Sequence, residues 1–256
     1  SHSTVIWEDK KMSDNNMKFN LFIGENFNEL ISLPTNQLII KNLLSITDRD
    51  VVILNNNLSL PELVQKLLDR ILCGKKEIVE IINNIFSMES KADLTFYRSI
   101  FDSNIFSSII STNYDYTLEE NFLNLIKINT PFNVSHDETD RISFYKIYGD
   151  YKDRDTFILS TQDIKRLKVL AFYNEFWDKL RAEFNKRPTL LFALNLEDKI
   201  FLDVLDFIIA KTDRLQPIYL YASDEIERLL VDKNIINFIN KYSISLINLV
   251  SVPDID

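Results

Sequence analysis

Glycine is scarce in this chain: Gly24, Gly74 and Gly149 are the three among 256 residues. That is far below ordinary usage, and it limits how many loops can bring backbone N–H groups close around a phosphate. Cysteine occurs once, as Cys73, which excludes an internal disulfide and fits buried packing in a reducing, cytoplasmic setting. With two histidines, His2 and His136, and no cysteine–histidine cluster, no metal site is expected. No apolar run approaches the roughly 20 residues of a membrane span, and no signal-peptide pattern opens the chain. Basic residues are outnumbered 29 to 38, for a net charge of −9. That balance repels phosphate backbones and argues against free-standing nucleic-acid binding; Lys10-Lys11 and Lys75-Lys76 are too short to reverse it.

What is present is an ordinary globular composition, long enough for one large core or for a core plus a small helical appendage. Ser1-His2-Ser3 reads as tag residue and 1–16 as an N-terminal extension, so His2 carries no chemistry. Phe19 to Ile23 reads as a buried strand, with Gly24 to Asn28 as the turn after it. Leu38-Ile39-Ile40 and Val51 to Leu54 flank a charged turn, and either could be a strand. Asn55 to Asn57 is a loop. A helix then starts at Ser59 or Leu60, with Pro61 and Glu62 placed where a first turn favours them. Two more helices follow at Lys76–Ser87 and Lys91–Asp102, each with apolar residues three and four apart. Three helices in a row suggest a helical insertion, 60–105, beside a sheet.

The chain is organised around Ser107 to Asp115. Ile109-Ile110 reads as a short buried strand, Thr112-Asn113-Tyr114-Asp115 as the turn leaving its carboxyl end, and the residues after it as a helix. Ser143 to Tyr148 alternates as a strand that turns at Gly149-Asp150, and Phe157-Ile158-Leu159 reads as another. Gln162 to Asn185 is one long helix, or two broken near Phe172, capped by Ser160 or Thr161. The remainder alternates regularly: strand Thr189–Leu194, helix Glu197–Ala210, strand Pro217–Tyr221, helix Ser223–Asn240, strand Ile244–Val250. No repeat period is visible. Alternating strands and helices argue for an α/β fold, an open, mostly parallel sheet covered on both faces. Ligands in such sheets sit at strand carboxyl ends where the strand order reverses, so the candidate turns are Gly24–Asn28, Thr112–Asp115, Tyr148–Asp150 and Ala193–Asp198.

Three ordered motifs carry a resemblance: Thr112-Asn113-Tyr114-Asp115; Tyr145-Lys146-Ile147-Tyr148-Gly149-Asp150 with Phe157 to Asp163; and Leu190 to Asp198. Together they resemble the bacterial sirtuin-like domains, over about Phe19 to Val250. The resemblance implies a single Rossmann-type domain over 17–256 that binds NAD or ADP-ribose and breaks the bond between nicotinamide and ribose. In many bacterial members that activity is NAD hydrolysis in anti-phage defence, with the domain fused to or partnered by other proteins. It also implies site residues: Asn113 matches the catalytic asparagine, Tyr148 replaces the catalytic histidine, and Gly24, Asn26, Thr112, Asp115, Gly149, Asp150, Ala193 and Asn195 fall at nucleotide-binding positions.

The departures point away from catalysis. A phenol with an ordinary pKa of about 10 stays protonated at neutral pH and cannot accept a proton as an imidazole of about 6.5 does. Where the family has Gly-Ala-Gly, this chain has Gly24-Glu25-Asn26. A Glu25 carboxylate facing a phosphate at about 4 Å would cost about 4 kcal/mol at an effective dielectric of about 20, roughly a thousandfold in affinity, unless it points elsewhere. Without a ligand, Asn113 and Asp115 can each cap the following helix, and Tyr148 can pack as an aromatic lid. His136 and the acids Asp137, Glu138 and Asp140 read as solvated loop. The sequence therefore reads as a degenerate, catalytically impaired domain acting as a nucleotide-binding or protein-interaction module. The alternatives are an active NAD glycohydrolase using Asn113 without the histidine, and an unrelated nucleotide-fold enzyme. The apolar content leaves room for an interface, with a partner or a second copy; no membrane contact is expected.

Overall fold

The computed structural model describes residues 5–6, 17–46, 58–70, 73–87, 91–150, 153, 156–221, 226–247 and 250–251. A short antiparallel pair joins β1 (Val5–Ile6) to β9 (Val250–Ser251). The body is one seven-stranded sheet of β2 (Phe19–Ile23), β3 (Phe106–Ser111), β4 (Ile126–Asn129), β5 (Ile142–Lys146), β6 (Thr189–Phe192), β7 (Ile218–Tyr221) and β8 (Ser245–Ile247). Every neighbouring pair is parallel, in the order β4-β5-β3-β2-β6-β7-β8. The order reverses at β2, which has β3 on one side and β6 on the other, so the crevice lies at the carboxyl ends of these three strands.

All five residues of β2 are buried, because helices cover both faces of the sheet. Phe22 joins Ile110, Tyr145 and Leu191 in one core. Its neighbours Leu21 and Ile23 turn the other way, toward Ile109, Phe144, Leu190 and Phe192. The first core is closed by α2 (Asn36–Ile46), α3 (Leu60–Asp69), α4 (Lys75–Ser87), α7 (Thr161–Val169), α8 (Asn174–Lys186), α9 (Lys199–Ala210) and α11 (Lys233–Lys241). The second is closed by α1 (Phe27–Leu30), α5 (Thr95–Ser103) and α6 (Thr117–Asn121). α10 spans Ile226–Leu229. Within 60–105, α3 and α4 pack on the first face and α5 on the second.

Asn20 places a fully buried amide in the sheet interior. The Asn20 amide donates to the carbonyls of Glu183 and Arg187 and to Thr189 Oγ1, and its Oδ1 accepts from Ser108. With every bond made, the burial cost of the amide is offset, and β2, β3, β6 and α8 are tied at the end of the sheet away from the crevice.

Several sequence expectations need correction. Leu38-Ile39-Ile40 is helical, inside α2, because Ile39 and Leu43 form a one-turn-apart apolar stripe against the core; Val51 to Leu54 and Asn55 to Asn57 lie outside the described residues. The third helix begins at Thr95 rather than Lys91, since Asp93 Oδ1 accepts the Thr95 N–H at 2.9 Å and fixes the start. Phe157 to Leu159 is extended but joins no strand; Ile158 N–H reaches Tyr148 O, and Leu159 N–H is taken by Asp163. The 162–185 segment takes its two-helix form, with Ser160 as the cap of α7 and a break at Leu170 to Tyr173. Ser223–Asn240 is two helices, because Asp232 accepts the Asn234 N–H and restarts the chain as α11; Ser223 itself lies outside the described residues. Within the strand read at Ile244–Val250, β8 begins at Ser245 and runs to Ile247, and residues 248–249 lie outside the described residues.

Candidate functional site

The Thr112-Asn113-Tyr114-Asp115 turn leaves β3 and is held by its own side chains. Ser111 Oγ accepts the Asn113 N–H at 3.0 Å. The Asn113 amide is spent on neighbouring turns, donating to Gly24 O at 2.9 Å and Asn28 Oδ1 at 3.2 Å. Asn113 therefore does not cap the next helix, as the sequence suggested; it ties the β3 turn to the β2 turn. Asp115 Oδ2 accepts the Thr117 N–H at 3.2 Å and closes the entry into α6.

Beneath this turn lies a buried lysine that pattern reading passed over. Lys146 Nζ donates to Asp115 O at 2.9 Å and to Glu119 Oε1 at 2.5 Å, with both side chains almost fully buried. Burial pulls its ammonium down, but Glu119, Asp150 and Asp115 more than offset that, so it stays protonated. Glu119 Oε2 has no partner among the described residues. The signal was available, since one lysine interrupts the apolar run Phe144-Tyr145-Lys146-Ile147.

Tyr148 is 7 % exposed and stacks on Tyr114 at 6.0 Å, and Tyr114 stacks on Phe157 at 5.0 Å. Tyr114 donates its hydroxyl to Ile158 O. Burial, then the nearby carboxyls of Asp198 and Glu25, push the Tyr148 phenol well above its ordinary pKa. Tyr148 is thus a packed aromatic with no capacity to act as a base near neutral pH. The space it faces, together with Thr112, Gly24 and Asn195, is a cavity of about 20 Å³, room for about one water. Gly149 makes the turn behind Tyr148 at φ +79°, and the Asp150 N–H reaches Thr156 Oγ1 at 3.3 Å.

On the other side of the crevice the Gly24 turn meets the loop after β6. A β-carbon at Gly24 would stand 2.8 Å from Leu194 Cδ2 and 2.9 Å from Leu194 Cα. The glycine thus admits the chain's own loop, not a ligand. Ala193 takes a left-handed φ of +52° to bring Leu194 there, and Asn26 donates to Leu194 O at 3.4 Å. Glu25 accepts from Asn195 across the crevice. Burial pushes the Glu25 carboxyl up, the Asn195 bond opposes this, and Asp198 adds to it. The helix after the turn, α1, has one turn, too short to offer a developed dipole to an anion. Leu194 packed over Gly24, with the Glu25 carboxyl beside it, makes a turn that does not suit a pyrophosphate.

The remaining candidates lie apart. His136 is exposed, 3.6 Å from Glu175, in an open groove of about 680 Å³ with Asp137, Glu138 and Asp178. Asp137 pairs with Arg141. Among the described residues no three histidine, cysteine, aspartate or glutamate side chains come together to hold a metal. Cys73 is buried and its thiol is pushed up to about 11, by burial and by Glu77, which leaves it unreactive. Among the described residues no helix is long and apolar enough to cross a membrane.

No curated protein gives a significant match to the chain. The family model described as SIR2-like domain matches residues 107–247, from β3 with its Asn113 turn through β8, whereas Gly24 and Glu25 lie before the matched stretch. With more than half of its length matched, on a parallel sheet whose order reverses at β2, the chain belongs to the SIR2-like, or sirtuin-like, domain family.

Proposed function

We propose that this chain is a catalytically silent sirtuin-like domain, degenerate at its catalytic and phosphate-binding positions, that serves as a nucleotide-binding or protein-interaction module in cytoplasmic anti-phage defence in bacteria. SIR2-like domains are NAD-related. The observation that carries the silent reading is the aromatic stack of Tyr148, Tyr114 and Phe157, beside which a cavity of about 20 Å³ remains, too small for a nicotinamide ring. The engagement of Asn113 with Gly24 and Asn28 supports the same reading, because that amide is structural. Exposed Val169 and Phe172, each 68 % accessible at the break between α7 and α8, support contact with a fused domain, a partner chain or a second copy.

The test compares wild type with Tyr148→Phe in a bacterial host challenged with phage. The phenylalanine keeps the stack and removes the titratable hydroxyl. Protection equal to wild type with host NAD unchanged is the expected result. A fall in host NAD that depends on the Tyr148 hydroxyl would refute the silent reading.

A further inference from the structure

Consecutive apolar residues, Val169, Leu170, Ala171 and Phe172, stand exposed at the end of α7 and the break before α8. The Phe172 ring lies 5.9 Å from that of Phe132 and 5.1 Å from that of Tyr173, which fixes it on the surface. An outward apolar run of this kind marks a contact surface. Charge of opposite sign flanks it. On α7, Ile164 and Leu167 face the core, so Val169 shares the solvent face with Lys165 and Arg166, one turn earlier. Among the described residues none of Lys165, Arg166 and Lys168 has an ion pair. On the other flank, past Phe132, lies the open groove of about 680 Å³, whose exposed acids are Glu138, Glu175 and Asp178. Its cations are engaged: Lys179 with Ser135 O, Arg141 with Asp137, and His136 beside Glu175.

We propose that this face is the interface of a two-fold symmetric dimer of the chain, in which Phe172 packs on its counterpart and the basic end of α7 in each copy meets the acids Glu138, Glu175 and Asp178 of the other. The proposal names the partner for the interaction surface of the preceding section and rests on that reading. The charge pattern selects a second copy. A two-fold axis through the apolar patch exchanges its two flanks, so a surface with one basic and one acidic flank matches itself. A partner segment of a single sign would meet like charge on one side of the patch, which costs affinity. Two chains of net charge −9 repel at long range, so the matched flanks and the buried patch carry the association.

Analytical sedimentation of the full chain over a concentration series tests it. Wild type is expected to dimerise reversibly as concentration rises. Phe172→Asp is expected to raise the dissociation constant by roughly thirtyfold or more. The reversals Lys165→Glu/Arg166→Glu and Glu175→Lys/Asp178→Lys are each expected to raise it by about tenfold or more. Mixed in equal amounts, these two reversed chains are expected to pair with each other about as tightly as wild type, because each supplies the flank that the other's own copy lacks. All the substituted residues are exposed, so unfolding midpoints are expected to match wild type. A wild-type monomer at millimolar concentration, a dimer unmoved by Phe172→Asp, or a mixture that associates no more than its components overturns the proposal. Nicotinamide release from NAD, followed on the same samples, separates the readings. Release by a dimer would refute the silent domain and leave the interface standing; a monomer that releases none would refute the interface alone.

Discussion

Replacing Lys146 with methionine is expected to destabilise the fold by about 3–5 kcal/mol, the usual cost of stranding one member of a buried ion pair. Glu119 would then be buried with neither oxygen compensated by a cation, since Oε2 already lacks a partner among the described residues. The Asp115 carbonyl would lose its donor as well, loosening the turn that carries Asn113. Burial pushes the Glu119 carboxyl up, and Lys146 opposes that. In the variant the folded chain therefore keeps a proton on Glu119 that the unfolded chain releases near its ordinary pKa of about 4.3. The native state binds more protons over that window, so the variant loses stability as pH rises through it. Urea denaturation should show a deficit that is smallest near pH 4 and largest near neutrality. The double variant Lys146→Met/Glu119→Gln should recover more than half of the loss at neutral pH. A single variant as stable as wild type at pH 7 would contradict the assignment of this pair as a clamp.

The second large effect is at Gly149. A β-carbon there would stand 1.7 Å from Thr156 O and 2.7 Å from Thr156 C, and the residue has φ +79°. Both obstacles are backbone, so no rotamer change relieves them. Gly149→Ala is expected to cost more than about 4 kcal/mol, or to prevent folding. Gly74→Ala is the control, because among the described residues nothing lies within 4 Å of its added β-carbon; it should stay within about 0.5 kcal/mol of wild type. Equal stabilities for the two variants, read from denaturation midpoints and expression of folded protein, would refute the tight-turn account.

Gly149 also illustrates how far the sequence could be read. Its place before Asp150 suggested a nucleotide-binding position, yet the structure gives it a sufficient backbone reason to be glycine. The strands were legible where apolar runs met turn residues, as at Phe19–Ile23 and at Thr189–Leu194, of which Thr189–Phe192 is strand, because strands buried on both faces read as continuous hydrophobic stretches. Leu38 to Ile40 and Phe157 to Leu159 defeated the same rule: three apolar residues suit a helix face or a packed extended segment as well as a strand. At the site, that the Tyr148 phenol is protonated near neutral pH follows from residue type alone. The closure of the Gly24 cradle by Leu194 does not, since the two residues lie far apart in the chain and meet only through the pairing of β2 with β6. Likewise, nothing local could say that the Asn113 amide would be spent on Gly24 and Asn28.

On the proposed silent reading, Asn113 ties the β3 turn to the β2 turn and does no chemistry. The most direct test is nicotinamide release from millimolar NAD by purified wild type and Asn113→Ala, with the stability of each measured alongside. The account predicts no release above the enzyme-free blank from either protein, and a stability loss of about 1–3 kcal/mol in the variant from the two hydrogen bonds removed. Release by wild type that disappears in Asn113→Ala, with stability unchanged, would contradict it.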